Sequence, residues 1–191
     1  MSDLESRLAE MVRASPRLMQ VLRTARDLDM PDWRIFSGAV YQTAWNALTG
    51  RDPDYGLKDY DLGYFDPSDT SYEAEDVQIR RAAAFFQPPL SELVEVRNQA
   101  RVHLWFEGKF GEPYSALGCT DEALERFVAT AFSVGARLER DDRISIAAPF
   151  GLEDLFALRL RPNPNRPLAM GWARATTSAK ARWPEVEIVG T

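Results

Sequence analysis

Cysteine and histidine are almost absent from this chain, which has 191 residues and one of each, Cys119 and His103. A lone cysteine excludes an internal disulfide and any multi-cysteine zinc site. A lone histidine excludes a multi-histidine metal centre, so a metal here would need oxygen ligands. Long apolar runs are missing as well. None approaches the ~20 residues that a membrane-spanning helix requires, and no membrane partner is expected. The opening stretch MSDLESRLAEMVRASPRLMQ has early acidic residues and no apolar signal core, so a cytoplasmic location is the expectation. A basic excess is lacking too. Lys and Arg number 23 against 29 Asp and Glu, a net charge of −6. Phosphate binding over a long surface leaves a basic footprint, so long nucleic acid is an unattractive partner.

What is present is an ordinary globular composition, 45% hydrophobic and 27% charged. The length suffices for one substantial core. There are no repeats, low-complexity tracts or internal linkers, so a single domain over 1–191 is expected. It would carry a helical segment at 1–30 and a weakly specified tail at 168–191.

Leu4, Leu8, Met11 and Val12, then Leu18, Val21, Leu22 and Ala25, recur at helical spacing, with Pro16 placed to start the second helix. Trp33–Phe36 reads as a short strand, and Ala39–Leu48 as a helix after a Ser37-Gly38 turn. A polar loop at 51–57 leads to a strand at 59–65. Pro67–Ser71 has helix-capping chemistry and introduces a helix over about 72–86. Leu93–Arg97 reads as a strand, and 98–106 as helical or irregular. Thr120–Ala131 reads as a helix, with Asp121 and Glu122 suited to its positive end. Val134–Leu138 and Ile144–Ala148 alternate as a hairpin around Asp141-Asp142, and 151–160 resembles a helix.

Chemistry is concentrated in three places. A Ser-Gly turn opening a helix lets backbone N–H groups approach a phosphate. Asp59 and Asp61 point the same way if their segment is a strand, and two adjacent anions call for a cation such as magnesium. Glu95, flanked by Val94 and Val96, supplies a third carboxylate that could act as base towards a hydroxyl. Arg97 and Arg101, at helical i and i+4 spacing if that stretch is a helix, could hold triphosphate oxygens, and Lys58 could add a point charge.

With these residues in order, the sequence resembles the polymerase-β-type nucleotidyltransferase superfamily, which has a Gly-Gly or Gly-Ser turn, Asp-x-Asp or Asp-x-Glu, and a later acidic strand residue. More closely, it is similar to a bacterial nucleotidyltransferase-like family. Trp33–Trp45, Asp59–Asp66, Arg97–Trp105 and Gly135 with Gly151–Leu155 carry that closer match, over most of 30–165. The resemblance implies an α/β (α+β) fold, a mixed β-sheet with helices packed on one side. It also implies a magnesium-dependent transfer from a nucleoside triphosphate to a hydroxyl-bearing acceptor. Ser37 and Gly38 would be the phosphate turn, Asp59 and Asp61 the metal ligands, and Glu95 the third carboxylate. The turn reads Ser-Gly rather than Gly-Ser, and about twenty residues separate it from Asp59.

Plainer readings stand beside these. Asp59 could cap a loop while Asp61 pairs with Arg97 or Arg101, and Asp66 could cap a turn with Pro67. Trp105 or Tyr64 could stack a base, or both could be core packing. At the level of function, the alternatives are a nucleotide-binding or protein-interaction module without turnover, and a metal-dependent phosphodiesterase.

Overall fold

The computed structural model describes residues 2–166 and 170–190. It begins with two helices, α1 (Asp3–Arg13) and α2 (Pro16–Leu28). The first is closed by a reciprocal cap: the Glu5 backbone N–H donates to Ser2 Oγ and the Ser2 N–H to Glu5 Oε2. Pro16 occupies the first turn of the second, capped by Ser15. Leu8, Val12, Leu18, Val21 and Leu22, all from the helical pattern, are fully buried.

Strand β1 (Arg34–Phe36) then turns directly into α3 (Gly38–Leu48). Every residue of α3 from Ala39 to Asn46 is buried, so this helix runs through the interior rather than along the surface. The sheet is completed by β2 (Tyr60–Tyr64), β3 (Val94–Asn98), β4 (Gly135–Leu138) and β5 (Ile144–Ala147), in the order β3-β2-β1-β4-β5. Within this sheet β2 and β3 form the parallel pair, the other pairs being antiparallel, and the crossover between them carries α4 (Tyr72–Phe85).

Strand alternation gives this sheet two different faces. Ile35, Leu62, Val96, Ala136 and Ile144 join the main core with α1 to α4. The other face carries Phe36, Asp61, Gly63, Glu95 and Arg97, and lies under the irregular segment that includes Leu117, Ala123 and Leu124. Helices α1 to α4 therefore cover one side of a mixed sheet, as the resemblance implied. Among the described residues no helix is long and apolar enough to cross a membrane.

Three stretches fold differently from their sequence pattern. Thr120–Ala131 is two 3-10 turns, Asp121–Arg126 and Thr130–Phe132, instead of one helix. Thr120 does not cap it, because its N–H and hydroxyl both bond to Asp32. Between 151 and 160 only α6 (Glu153–Phe156), which follows the short α5 (Phe106–Phe110), is helical, and β6 (Arg159–Leu160) follows. From 170 on, the weakly specified tail forms α7 (Trp172–Arg182) and β7 (Glu187–Ile188), which pairs with β6. It docks through Ala179, Trp183 and Val186, all fully buried.

Candidate active site

The register of the two parallel strands places Asp61 directly opposite Glu95, and Gly63 opposite Arg97. Antiparallel pairing of Ile35 with Leu62 brings Phe36 level with Asp61 on the same face. Continuing that register sets the end of β1, and so the Ser37-Gly38 turn, beside the start of β2, where Asp59 lies.

Asp61 is partly buried, and its carboxyl is pushed up from its ordinary value to about 6. Burial is the main cause, followed by the charges of Asp59 and then Glu95, with Arg97 opposing. Three anions thus bear on one point. Glu95 is exposed and lies 3.7 Å from the Arg97 guanidinium, which also donates to the Val96 carbonyl at 2.7 Å. No ion pair joins Asp61 to either arginine among the described residues.

A strained backbone marks the turn. Ser37 holds φ +38°, unusual for a residue with a side chain, while its N–H donates to the Val134 carbonyl at 2.7 Å. Its side chain does not cap α3. The first N–H groups of that helix have no intrahelical acceptor and carry its positive end. Gly38 is tightly fitted: a Cβ there would lie 3.3 Å from Gln42 Nε2.

Asp61, Glu95 and Arg97 share a cavity of about 380 Å³. Its walls are Phe36, Trp105, Phe106, Phe110, Tyr114 and Phe127, and Gln99, Arg126 and Arg166 add polar groups. Ser37, Gly38, Lys58 and Asp59 are outside that lining. Lys58 is exposed. Arg101 is committed elsewhere, to the buried Glu75 at 2.7 Å and to the Thr70 carbonyl. The shared helical face suggested for Arg97 and Arg101 does not form, because Arg97 lies in a strand and Arg101 in a 3-10 turn. Tyr64 is buried on the helix side and cannot stack a base there, whereas Trp105 lines the cavity. Asp66 accepts from Ser68 in the turn after β2.

Sequence reasoning missed Arg126, Arg166 and Arg182. Arg182 reaches the inner side of α3, donating to Gln42 Oε1 at 2.8 Å and to the Gly56 carbonyl. Its charge and that of Asp59 act in opposite senses on the buried Tyr41 hydroxyl, whose pKa burial raises most. Arg126 lies where the pattern reads as a helix but the chain forms a 3-10 turn, Arg166 lies in a loop, and Arg182 ends α7 in the weakly specified tail.

Among the described residues no three carboxylate or imidazole groups converge into a metal cage. Magnesium commonly takes one or two carboxylates and completes its shell with water and substrate phosphate oxygens. The repulsion concentrated on Asp61 is the electrostatic counterpart of such a partial site, and Asp59 with Asp61 fits the ion on that ground.

A family model described as nucleotidyltransferase matches residues 23–188, and the chain belongs to that family. Transfer of a nucleotidyl group is therefore its reaction class. The fold is similar to a solved structure described as revealing a CCA-adding enzyme head domain, with a TM-score of 0.77. That likeness spans 97% of this chain and 96% of the other at 23% identity, and it concerns the fold. No curated protein matches the sequence.

Proposed function

We propose that this nucleotidyltransferase moves a nucleoside monophosphate from a nucleoside triphosphate to a hydroxyl acceptor and releases pyrophosphate. The observation that supports it most is the opposition of Asp61 and Glu95 across β2 and β3, with Asp59 close by and the free end of α3 alongside.

The triphosphate would lie against the Ser37-Gly38 turn, where backbone N–H groups and the helix dipole favour an anion. A magnesium ion held by Asp59 and Asp61 would supply charge neutralisation to the phosphate oxygens. Glu95 would accept the proton of the acceptor hydroxyl as that oxygen bonds to the α-phosphorus. The bond from the α-phosphorus to the bridging oxygen then breaks, and its electron pair leaves with pyrophosphate. Arg97, beside Glu95, would orient that carboxylate. Most of the acceleration in such a site comes from positioning and electrostatics.

A thermal-shift screen of the four nucleoside triphosphates, with and without magnesium, tests the reading beside Asp61→Asn. The expected result is a magnesium-dependent stabilisation that the variant loses, together with pyrophosphate release when an acceptor is supplied. An equal shift in Asp61→Asn would sink the metal assignment. A nucleotide-binding module without turnover is the second reading, favoured by the engagement of Glu95 with Arg97. Stabilisation by nucleotide with no pyrophosphate for any acceptor would select it.

A further inference from the structure

The cavity beside Asp61 has a composition that charge neutralisation of a triphosphate does not explain. Six aromatic rings line it, beside a charged edge that carries Asp61, Glu95 and Arg97. Phe36 meets Phe127 edge-on at 6.2 Å, and Phe106 packs against Phe110 at 4.7 Å and Tyr114 at 4.5 Å. Of the three arginines in the lining, Arg97 sits beside Glu95, and Arg126 holds its guanidinium 5.5 Å over the Tyr114 ring. Its Nε is buried and has no partner, and among the described residues it forms no ion pair. Arg166 differs, because it is paired with Glu112 and also donates to the Arg126 carbonyl, which braces the backbone that carries Arg126. A buried donor without an acceptor is costly unless a ligand supplies one.

The lining decides which reactant belongs here. It includes Glu95, the candidate base, with Asp61 at its edge, and excludes the Ser37-Gly38 turn, Lys58 and Asp59. In an in-line displacement the attacking oxygen and the departing pyrophosphate lie on opposite sides of the α-phosphorus. If the phosphates lie by the turn, the cavity is on the attacking side. Its volume, about 380 Å³, is near the lower end of the roughly 300–1,000 Å³ usual for small-molecule sites.

We infer that the acceptor is a small molecule with a flat apolar body, a hydroxyl near Glu95 and an anionic group on Arg126. This inference rests on the proposed transfer and names its second substrate. Aromatic walls bury the body, the charge-assisted bond to Arg126 fixes its orientation, and the hydroxyl is left at the carboxylates. In the reaction the hydroxyl oxygen gains the bond to the α-phosphorus, its proton passes to Glu95, and pyrophosphate departs with the broken bond's electrons.

Binding can be measured without nucleotide or metal. The probes are 3-(4-hydroxyphenyl)propionate and its uncharged amide, followed by calorimetry and tryptophan fluorescence on the full chain. The acid is expected to bind about tenfold more tightly than the amide, the scale of one charge-assisted hydrogen bond. Arg126→Gln should abolish that preference and leave amide binding unchanged. Ala123→Met, which narrows the cavity without altering its charge, should weaken both ligands. Equal affinities for acid and amide in the wild type, or no acid binding at millimolar concentration, would overturn the inference. So would displacement of the acid by a free nucleoside, which would assign the cavity to the donor's base, or by a short oligoribonucleotide, which would assign it to an RNA end. None of these readings depends on turnover, whereas loss of the magnesium-dependent nucleotide shift concerns the transfer itself.

Discussion

Asp61 and Glu95 face each other across the parallel strands β2 and β3, so two carboxylates occupy directly opposed positions on one sheet face. Like charges in that relation destabilise a sheet. The arrangement therefore sacrifices stability at the point where the proposed transfer would need negative charge.

Removing the charge should make this visible. Asp61→Asn is expected to leave the melting temperature unchanged or to raise it by a few degrees in metal-free buffer, because it relieves both burial and repulsion. The same variant should lose magnesium-dependent stabilisation by nucleoside triphosphates. Differential scanning calorimetry with and without magnesium reads both effects, and a marked drop in stability of the metal-free variant would contradict the assignment.

The pH dependence has a definite sign. The Asp61 carboxyl titrates near 6 in the folded chain, above its ordinary value of 3.8. Between those values the folded state keeps a proton that the unfolded chain has lost, so Asp61's contribution makes stability fall as pH rises through the window. A cation competes with that proton. Magnesium affinity should increase from about pH 5 to about pH 7 and then level off, and Asp61→Asn should flatten the profile. Calorimetric titration at fixed ionic strength measures it.

Gly63 illustrates how closely the open face is fitted. A Cβ at this position would lie 2.2 Å from the Phe36 ring. Gly63→Ala is expected to cost about 1–3 kcal/mol by overpacking. Phe36→Leu in the same chain should recover part of that loss, since residues in contact are not additive. Urea unfolding of the single and double variants gives the coupling.

Arg97 and Arg101 should separate cleanly. Arg101→Ala leaves the buried Glu75 carboxylate without its countercharge, with only the Asn98 N–H still donating to it, and is expected to cost about 3–5 kcal/mol. For a chain of this size that is a drop in melting temperature on the order of 10 °C. Arg97→Ala, at a half-exposed pair, should change stability by less than about 1 kcal/mol and act on turnover instead. A thermal melt of each variant beside a pyrophosphate assay distinguishes them.

These contrasts show why the pattern was readable at some positions and silent at others. Asp61 and Glu95 were legible because a strand alternates with period two, and a carboxylate between apolar neighbours stands out against that rhythm. Asp59 follows Lys58 and lies one residue before β2 begins, so only its two-residue spacing from Asp61 marks it. The i, i+4 spacing of Arg97 and Arg101 gives no shared face, because a strand is followed there by a 3-10 turn. Arg126 lies in a 3-10 turn where the pattern reads as a helix, and Arg166 in a loop, so periodicity does not tell which way either side chain faces. Helix α7 gave little signal because only Thr176 and Ala179 of its residues are buried, and the anchoring Trp183 follows its end.

Trp183 sits edge-on against Trp45 at 5.4 Å, and its Nε1 donates to Asn46, 137 positions earlier in the chain. Arg182 braces Gln42 of the same helix. The helix that opens at the Ser37-Gly38 turn is thus supported by residues a ribosome delivers much later. During synthesis, α3 and the strands around it emerge long before that support exists. Folding order acts as a timer, and a nascent chain gains this support for the Ser37-Gly38 turn only once residue 183 has been added and released from the exit tunnel.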